Sequence, residues 1–173
     1  YVLVLRAMAS MAAALGDAIN ATGYSELATN ASEAFHHAFW DDRSSAYGND
    51  PGGTQSLTLP ALHIGAPPAA LEPRVVQNLQ DDLEHRTDYH LAVGAVTGKI
   101  LLNVLSDHGL HRSAMRVATQ TTEPSWGYWW SQNSSTCWEA FPENEKVSGH
   151  TPQGRTTKNH IFLCGGIGEW YWK

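Results

Sequence analysis

The sequence predicts an all-α fold of helical hairpins. Apolar residues recur three and four positions apart through most of the chain, and no stretch alternates with period two for long. The breaks between helical stretches are mostly short, which makes consecutive helices antiparallel neighbours stacked side by side.

The first helix is expected over 1–21. It is Ala-rich, with Leu5, Met8, Met11, Ala12, Leu15 and Ile19 at helical spacing, and Gly23 closes it. Its opening YVLVLRAMASMAAALG lacks a basic start and runs on into Asp17, so it reads as a helix of the mature protein and not as a signal peptide. The chain opens on Tyr1 inside that helix, and further sequence upstream is expected. A second helix over 24–40 carries Tyr24, Leu27, Ala28, Ala31, Ala34, Phe35, Ala38 and Phe39. His36, His37, Glu26 and Glu33 are expected on its solvated face, without a role.

The segment DDRSSAYGNDPGG then gives a turn-rich break over 41–53. Helices follow over 54–64, stopped by Gly65 and Pro67-Pro68, and over 70–86, with Leu71, Val75, Val76, Leu79 and Leu83 inward. Two more are expected over 95–107, ending at Gly109, and over 111–120. The last covers roughly 159–172. The long connections, 41–53 and 141–158, are of the kind that is functional or disordered in a compact domain.

At 173 residues the chain has the length of one domain, and 42% hydrophobic with 16% charged residues is enough apolar content for a core. The net charge of −6 comes with no basic cluster, which argues against nucleic acid and anionic membrane surfaces as partners. No apolar run approaches the roughly 20 residues that span a bilayer. A neutral substrate such as a sugar fits this balance. Cys137 and Cys164 lack the spacing of a zinc site and are expected as two buried thiols in preference to a disulfide. Three sequons, at Asn20, Asn30 and Asn133, are compatible with an extracellular or secretory location.

The chemistry gathers in the stretch PSWGYWWSQNSSTCWE at 124–139. Six of the seven tryptophans lie from Trp126 onward. They suit either a large aromatic core at one end of the domain or a platform of ring faces for a pyranose, and composition leaves both open. Glu139, next to Trp138, is a carboxylate whose pKa partial desolvation can tune, or else a helix-start glutamate facing orphan amides. His160 enters a helix interrupted by Gly165, Gly166 and Gly168, each costing about 1 kcal/mol relative to Ala unless a close neighbour needs the space. His90 opens HLAVG, where it can cap the next helix or point into a central cavity.

Taken in order, five pieces resemble one family: TQS at 54–56, HLAVG at 90–94, ATQTTEPSWGY at 118–128, STCWE at 135–139 and the NH…G…EWYW pattern of 159–172. They resemble the C-terminal part of the α-L-rhamnosidases, glycoside hydrolase family 78, across nearly the whole chain. The resemblance implies an (α/α)6 barrel of six helical hairpins. It makes residues 1–173 a partial catalytic domain, with the N-terminal half and further C-terminal sequence outside it.

It also implies inverting hydrolysis of terminal α-L-rhamnose, with Glu139 as the general base that activates water. Trp126 and Trp138 would pack on the sugar, His160 would contact its hydroxyls, and His90 would line the same site. The partners implied are a rhamnose-containing glycoside and the missing half of the barrel, with no cofactor. The general acid that inversion requires has no matching motif here; Asp41-Asp42-Arg43 is the nearest imitation. Two hydroxyls of the usual HL-T-T-G pattern are replaced by Ala92 and Val93, and Lys158 stands where a small apolar Leu is common. A catalytically incomplete carbohydrate-binding module, or an (α/α)6 glycosidase for another sugar, are the alternative readings.

Overall fold

A computed structural model describes residues 1–48, 54–138 and 159–172. Its helices are α1 (Val2–Ala14), α2 (Ala18–Phe39), α3 (Thr54–His63), α4 (Glu72–Asp81), α5 (Ala95–Asp107), α6 (His111–Ala118), α7 (Trp126–Ser131) and α8 (Ile161–Trp172). The expected all-α architecture of stacked hairpins is what forms. Among the described residues no helix is long and apolar enough to cross a membrane.

The first boundary differs from expectation. One helix over 1–21 closed by Gly23 is replaced by a break at Leu15–Asp17. Gly16 sits at φ +77, which ends α1, and the Asp17 carboxylate accepts from Asn20 N at 3.1 Å, which starts α2. Gly23 lies inside α2 with nothing near it. The break also redirects side chains: Leu5 and Ala12 are buried as expected, whereas Leu15 and Ile19 are 85% and 87% exposed.

The inward stripe of α2 is likewise rotated. Ala28, Ser32 and His36 are buried, while Ala34, Ala38 and Phe39 are exposed. His36 therefore does not lie on a solvated face. It is 9% exposed, and the first strand residue, Trp40, stacks on its ring. Burial and the neighbouring His37 push its pKa down.

The break after α2 opens with a two-residue hairpin, β1 (Trp40–Asp41) against β2 (Ala46–Tyr47), antiparallel with Trp40 opposite Tyr47. Ser45 at φ 52 closes the four-residue turn between the strands, and Gly48 at φ 79 follows the second strand, its amide donating to the Phe39 carbonyl at 2.8 Å. Tyr47 drives its ring into the core, 1% exposed, and burial pushes its phenol up to about 12.

The main core joins α3, α4, α5 and α6. Leu59, Leu79, Leu83, Leu101, Leu102 and Leu105 are all fully buried, each contributing about 1.5–3 kcal/mol of transfer free energy. The inward stripe of 70–86 holds at Val75, Leu79 and Leu83, with Val76 and Leu71 half-buried. That segment is not uniform: α4 passes into a π-turn over Asp82–Arg86, where the Arg86 guanidinium pairs with the Asp82 carboxylate.

A helix that periodicity did not predict, α7, forms over Trp126–Ser131. The Ser125 hydroxyl starts it by accepting from Tyr128 N at 3.0 Å. The aromatic run around it is too bulky and too short to show a helical stripe. The connection 141–158 falls within residues that are not described.

Candidate functional site

Four helices begin on the same side of the molecule. Helices α5 and α8 run in the same direction. Gly166 in the first half of α8 lies against Lys99 in the first half of α5, and Trp170 Nε1 donates to Ser106 Oγ at 2.7 Å near their far ends. A β-carbon at Gly166 would sit 2.4 Å from the Lys99 carbonyl oxygen, so this glycine permits the close crossing.

At their start, α3 and α5 are joined through one side chain. Gln55, fully buried, accepts from Ala92 N at 3.1 Å and donates toward Asp82 Oδ2, Thr87 Oγ1 and the His90 carbonyl at 3.1–3.4 Å. Ser56 Oγ adds a bond to the Ala92 carbonyl at 3.3 Å. Leu91 N donates to the Pro124 carbonyl at 3.0 Å, which brings the start of α7 alongside. The start of α8 joins through His160 N, which donates to the Cys137 carbonyl at 2.6 Å. Helix N-termini carry partial positive charge and unpaired amides, so this rim suits hydroxyl-bearing or anionic groups.

The tryptophans occupy the α7 side of the rim. Trp126 and Trp129 are buried, at 8% and 3% exposed, and Trp138 is half-buried with its ring 6.0 Å from that of Trp129. Trp130 points outward at 84% exposure, so the run is split between core and surface. Gly127 keeps α7 close to the preceding loop, since a β-carbon there would meet Gln120 O at 2.4 Å. Trp126, Trp138 and His160 are thus brought to one neighbourhood. His90 reaches it through Thr122, two residues before Pro124, with Nε2 2.7 Å from the Thr122 hydroxyl and Nδ1 2.8 Å from the Thr87 carbonyl.

Glu139 lies outside the described residues. Cys137, just before it, is buried and disulfide-bonded; the expectation of buried thiols is corrected here. The covalent link fixes the residue whose carbonyl receives His160, so a free thiol was the weaker way to hold this corner.

Two residues of the rim carry a signal that sequence reasoning passed over. Glu123, ahead of a cis bond to Pro124, has a solvent-inaccessible Oε1 with no hydrogen-bond partner. Tyr128 has its phenol pushed up by burial, then by the charge and hydrogen bonding of Glu123. A glutamate inside an otherwise aromatic and hydroxyl-rich motif was the available sign. Gln55 is the other, visible only as the middle of TQS. Among the described residues no cluster of three or more His, Cys, Asp or Glu side chains is placed to hold a metal ion.

Comparison with known proteins agrees with the helical fold. Residues 1–173 match the model of the bacterial alpha-L-rhamnosidase 6 hairpin glycosidase domain. A Streptomyces avermitilis protein named alpha-L-rhamnosidase is 33% identical over 162 residues, covering 94% of this chain and 15% of that protein. A solved alpha-L-rhamnosidase from Dictyoglumus thermophilum superposes with a TM-score of 0.81 at 27% identity, over 99% of this chain and 18% of its own. The Streptomyces avermitilis alpha-L-rhamnosidase solved with L-rhamnose superposes with a TM-score of 0.77 at 32% identity, over 95% of this chain and 15% of its own. The chain belongs to the bacterial α-L-rhamnosidase six-hairpin glycosidase family, and it spans less than a fifth of the relatives' length.

Proposed function

We propose that this domain forms the water-activating side of an active site that removes terminal α-L-rhamnose with inversion, with Glu139 as the general base. The observation that carries the reading is the convergence of Trp126, Trp138 and His160 on one rim of a six-hairpin fold, in the motif order quoted above. That one of the similar structures was solved with L-rhamnose supports the choice of sugar.

In this reading the Glu139 carboxylate, ionised at working pH, takes a proton from water as its oxygen attacks the anomeric carbon. The leaving oxygen is protonated by a second carboxyl group about 6.5–9.5 Å away, the gap that admits the water. No motif in these 173 residues supplies that acid, so the proposal assigns it to sequence outside them. Trp126 and Trp138 flank the sugar ring, and His160 holds a hydroxyl. The 173-residue chain alone is expected to bind rhamnose and hydrolyse little.

The test is Glu139→Gln in a complete rhamnosidase carrying this segment. Hydrolysis of a nitrophenyl α-L-rhamnoside should drop on the order of 10²–10⁴-fold with little change in rhamnose affinity. Turnover near that of the wild type would overturn the assignment. A panel of other nitrophenyl glycosides separates a rhamnosidase from a six-hairpin glycosidase for another sugar.

A further inference from the structure

His90 has both ring nitrogens engaged within the chain. Nδ1 lies 2.8 Å from the Thr87 carbonyl, which can only accept, so Nδ1 carries the proton. In the neutral ring Nε2 is then an acceptor, and the Thr122 hydroxyl, 2.7 Å away, donates to it. With its hydroxyl proton on His90, Thr122 is held through the main chain: Gln120 Oε1 accepts from the Thr121 and Thr122 amides at 3.0 and 3.5 Å. Gln120 Nε2 returns to the Asp88 carbonyl at 3.0 Å, and Leu91 N reaches the Pro124 carbonyl at 3.0 Å. The loops 87–91 and 120–124 are therefore tied at both ends, with the imidazole as the rung between.

The backbone is held under strain where the rung attaches. Asp88 and Tyr89 are consecutive non-glycine residues at φ 44 and 60. Such residues persist only where surrounding bonds over-determine them. On the other strand of the clasp, Ser125 follows at once and is fully buried, and its hydroxyl starts the helix that carries Trp126.

We infer that His90 is a positioning residue: a single-tautomer clasp that sets the 120–124 loop, and through it the seat of Trp126, without touching sugar itself. An imidazole suits the task because its two nitrogens lie on opposite edges of one rigid ring. An asparagine can imitate only Nδ1 and a glutamine only Nε2. The sugar-related part of this inference rests on the rhamnose reading above; the clasp does not.

The experiment has two arms, both on a complete rhamnosidase carrying this segment, labelled with ¹⁵N-histidine for the first. In the first, long-range ¹⁵N–¹H spectra near neutral pH, with the His90 signal identified by its absence in His90→Gln, report the tautomer directly. The expected result is Nδ1–H; a dominant Nε2–H tautomer overturns the clasp whether or not any sugar binds. In the second, L-rhamnose is titrated against tryptophan fluorescence. Thr122→Val and His90→Asn, each of which removes the Nε2 bond, should each weaken binding about three- to tenfold, as loss of one hydrogen bond does, and the double variant should weaken it no further. Thr122→Ser, which keeps the hydroxyl, should restore affinity. If the two losses add, or if Thr122→Val is silent while His90→Asn is not, His90 contacts the sugar and the inference is wrong. If wild type gives no response to rhamnose while the tautomer is Nδ1–H, the failure belongs to the rhamnose reading, and the clasp stands.

Discussion

Tyr47 sets its hydroxyl 2.8 Å from Nδ1 of His36, on a ring that Trp40 stacks against from the other strand of the hairpin. The phenol, pushed up to about 12, stays protonated at any ordinary pH, so the pair shares one hydrogen bond between neutral groups. This pair pins the end of α2 to the main core.

The pair makes the fold acid-sensitive. The pKa of His36 is lowered in the folded state, first by burial and then by His37, against an ordinary value of about 6.5. Below that ordinary value the unfolded chain takes up a proton that the folded chain resists. The stability from neutral His36 is thus full above about pH 6.5 and is lost as pH falls toward the lowered value. Urea midpoints measured between pH 8 and 5 should fall with acid, and His36→Leu should flatten part of that slope. An unchanged slope would mean that His36 is not what titrates.

Gln55 should be among the most sensitive positions in the chain. Gln55→Leu conserves volume but strands the Ala92 amide and the groups around Asp82, and a stranded buried group costs about 1–3 kcal/mol. The total expected is about 3 kcal/mol by urea unfolding, with faster hydrogen exchange at Ala92 N. A loss below about 1 kcal/mol would show that water replaces the amide.

Two glycines of α8 should respond in opposite directions. Gly166→Ala puts a methyl 2.4 Å from a carbonyl oxygen of α5 and forces the helices apart, at a cost of about 1–3 kcal/mol. Gly168 has nothing within 4 Å, so Gly168→Ala should instead gain up to about 1 kcal/mol from helix propensity. Thermal unfolding of the two variants side by side reads the difference.

Much of this was legible in the chain itself. The helices at 54–64, 70–86, 95–107 and 111–120 follow from apolar spacing, and their boundaries hold to within about two residues, as the ends of helices usually allow. The break at 15–17 was missed because apolar spacing continues through it; the Gly16-Asp17 pair, a helix stop beside an N-cap, was the overriding local signal. α7 was missed because Trp126, Trp129 and Trp130 all read as apolar, and only the Ser125 cap marks a start. His36 was misplaced because its burial depends on Tyr47, eleven residues on and across a turn. At the site, the aromatic cluster and its order were visible. The use of Gln55 and Thr122 was not, because their partners lie 27 to 37 residues away in the chain, beyond any local pattern.

The bonds that fix residues 91 and 92 run to main-chain atoms: Gln55 and Ser56 on the amide and carbonyl of Ala92, and the Leu91 amide on the Pro124 carbonyl. The side chains at 92 and 93 take no part in them. The scaffold of the rim and the surface it presents are thus written in separate sets of atoms. Ala92 is half-buried at the rim, so a small apolar side chain there changes the lining and leaves those bonds in place, whereas Val93, 4% exposed, packs into the main core. The side chain at 92 can therefore change in a single step without breaking a bond that holds the rim.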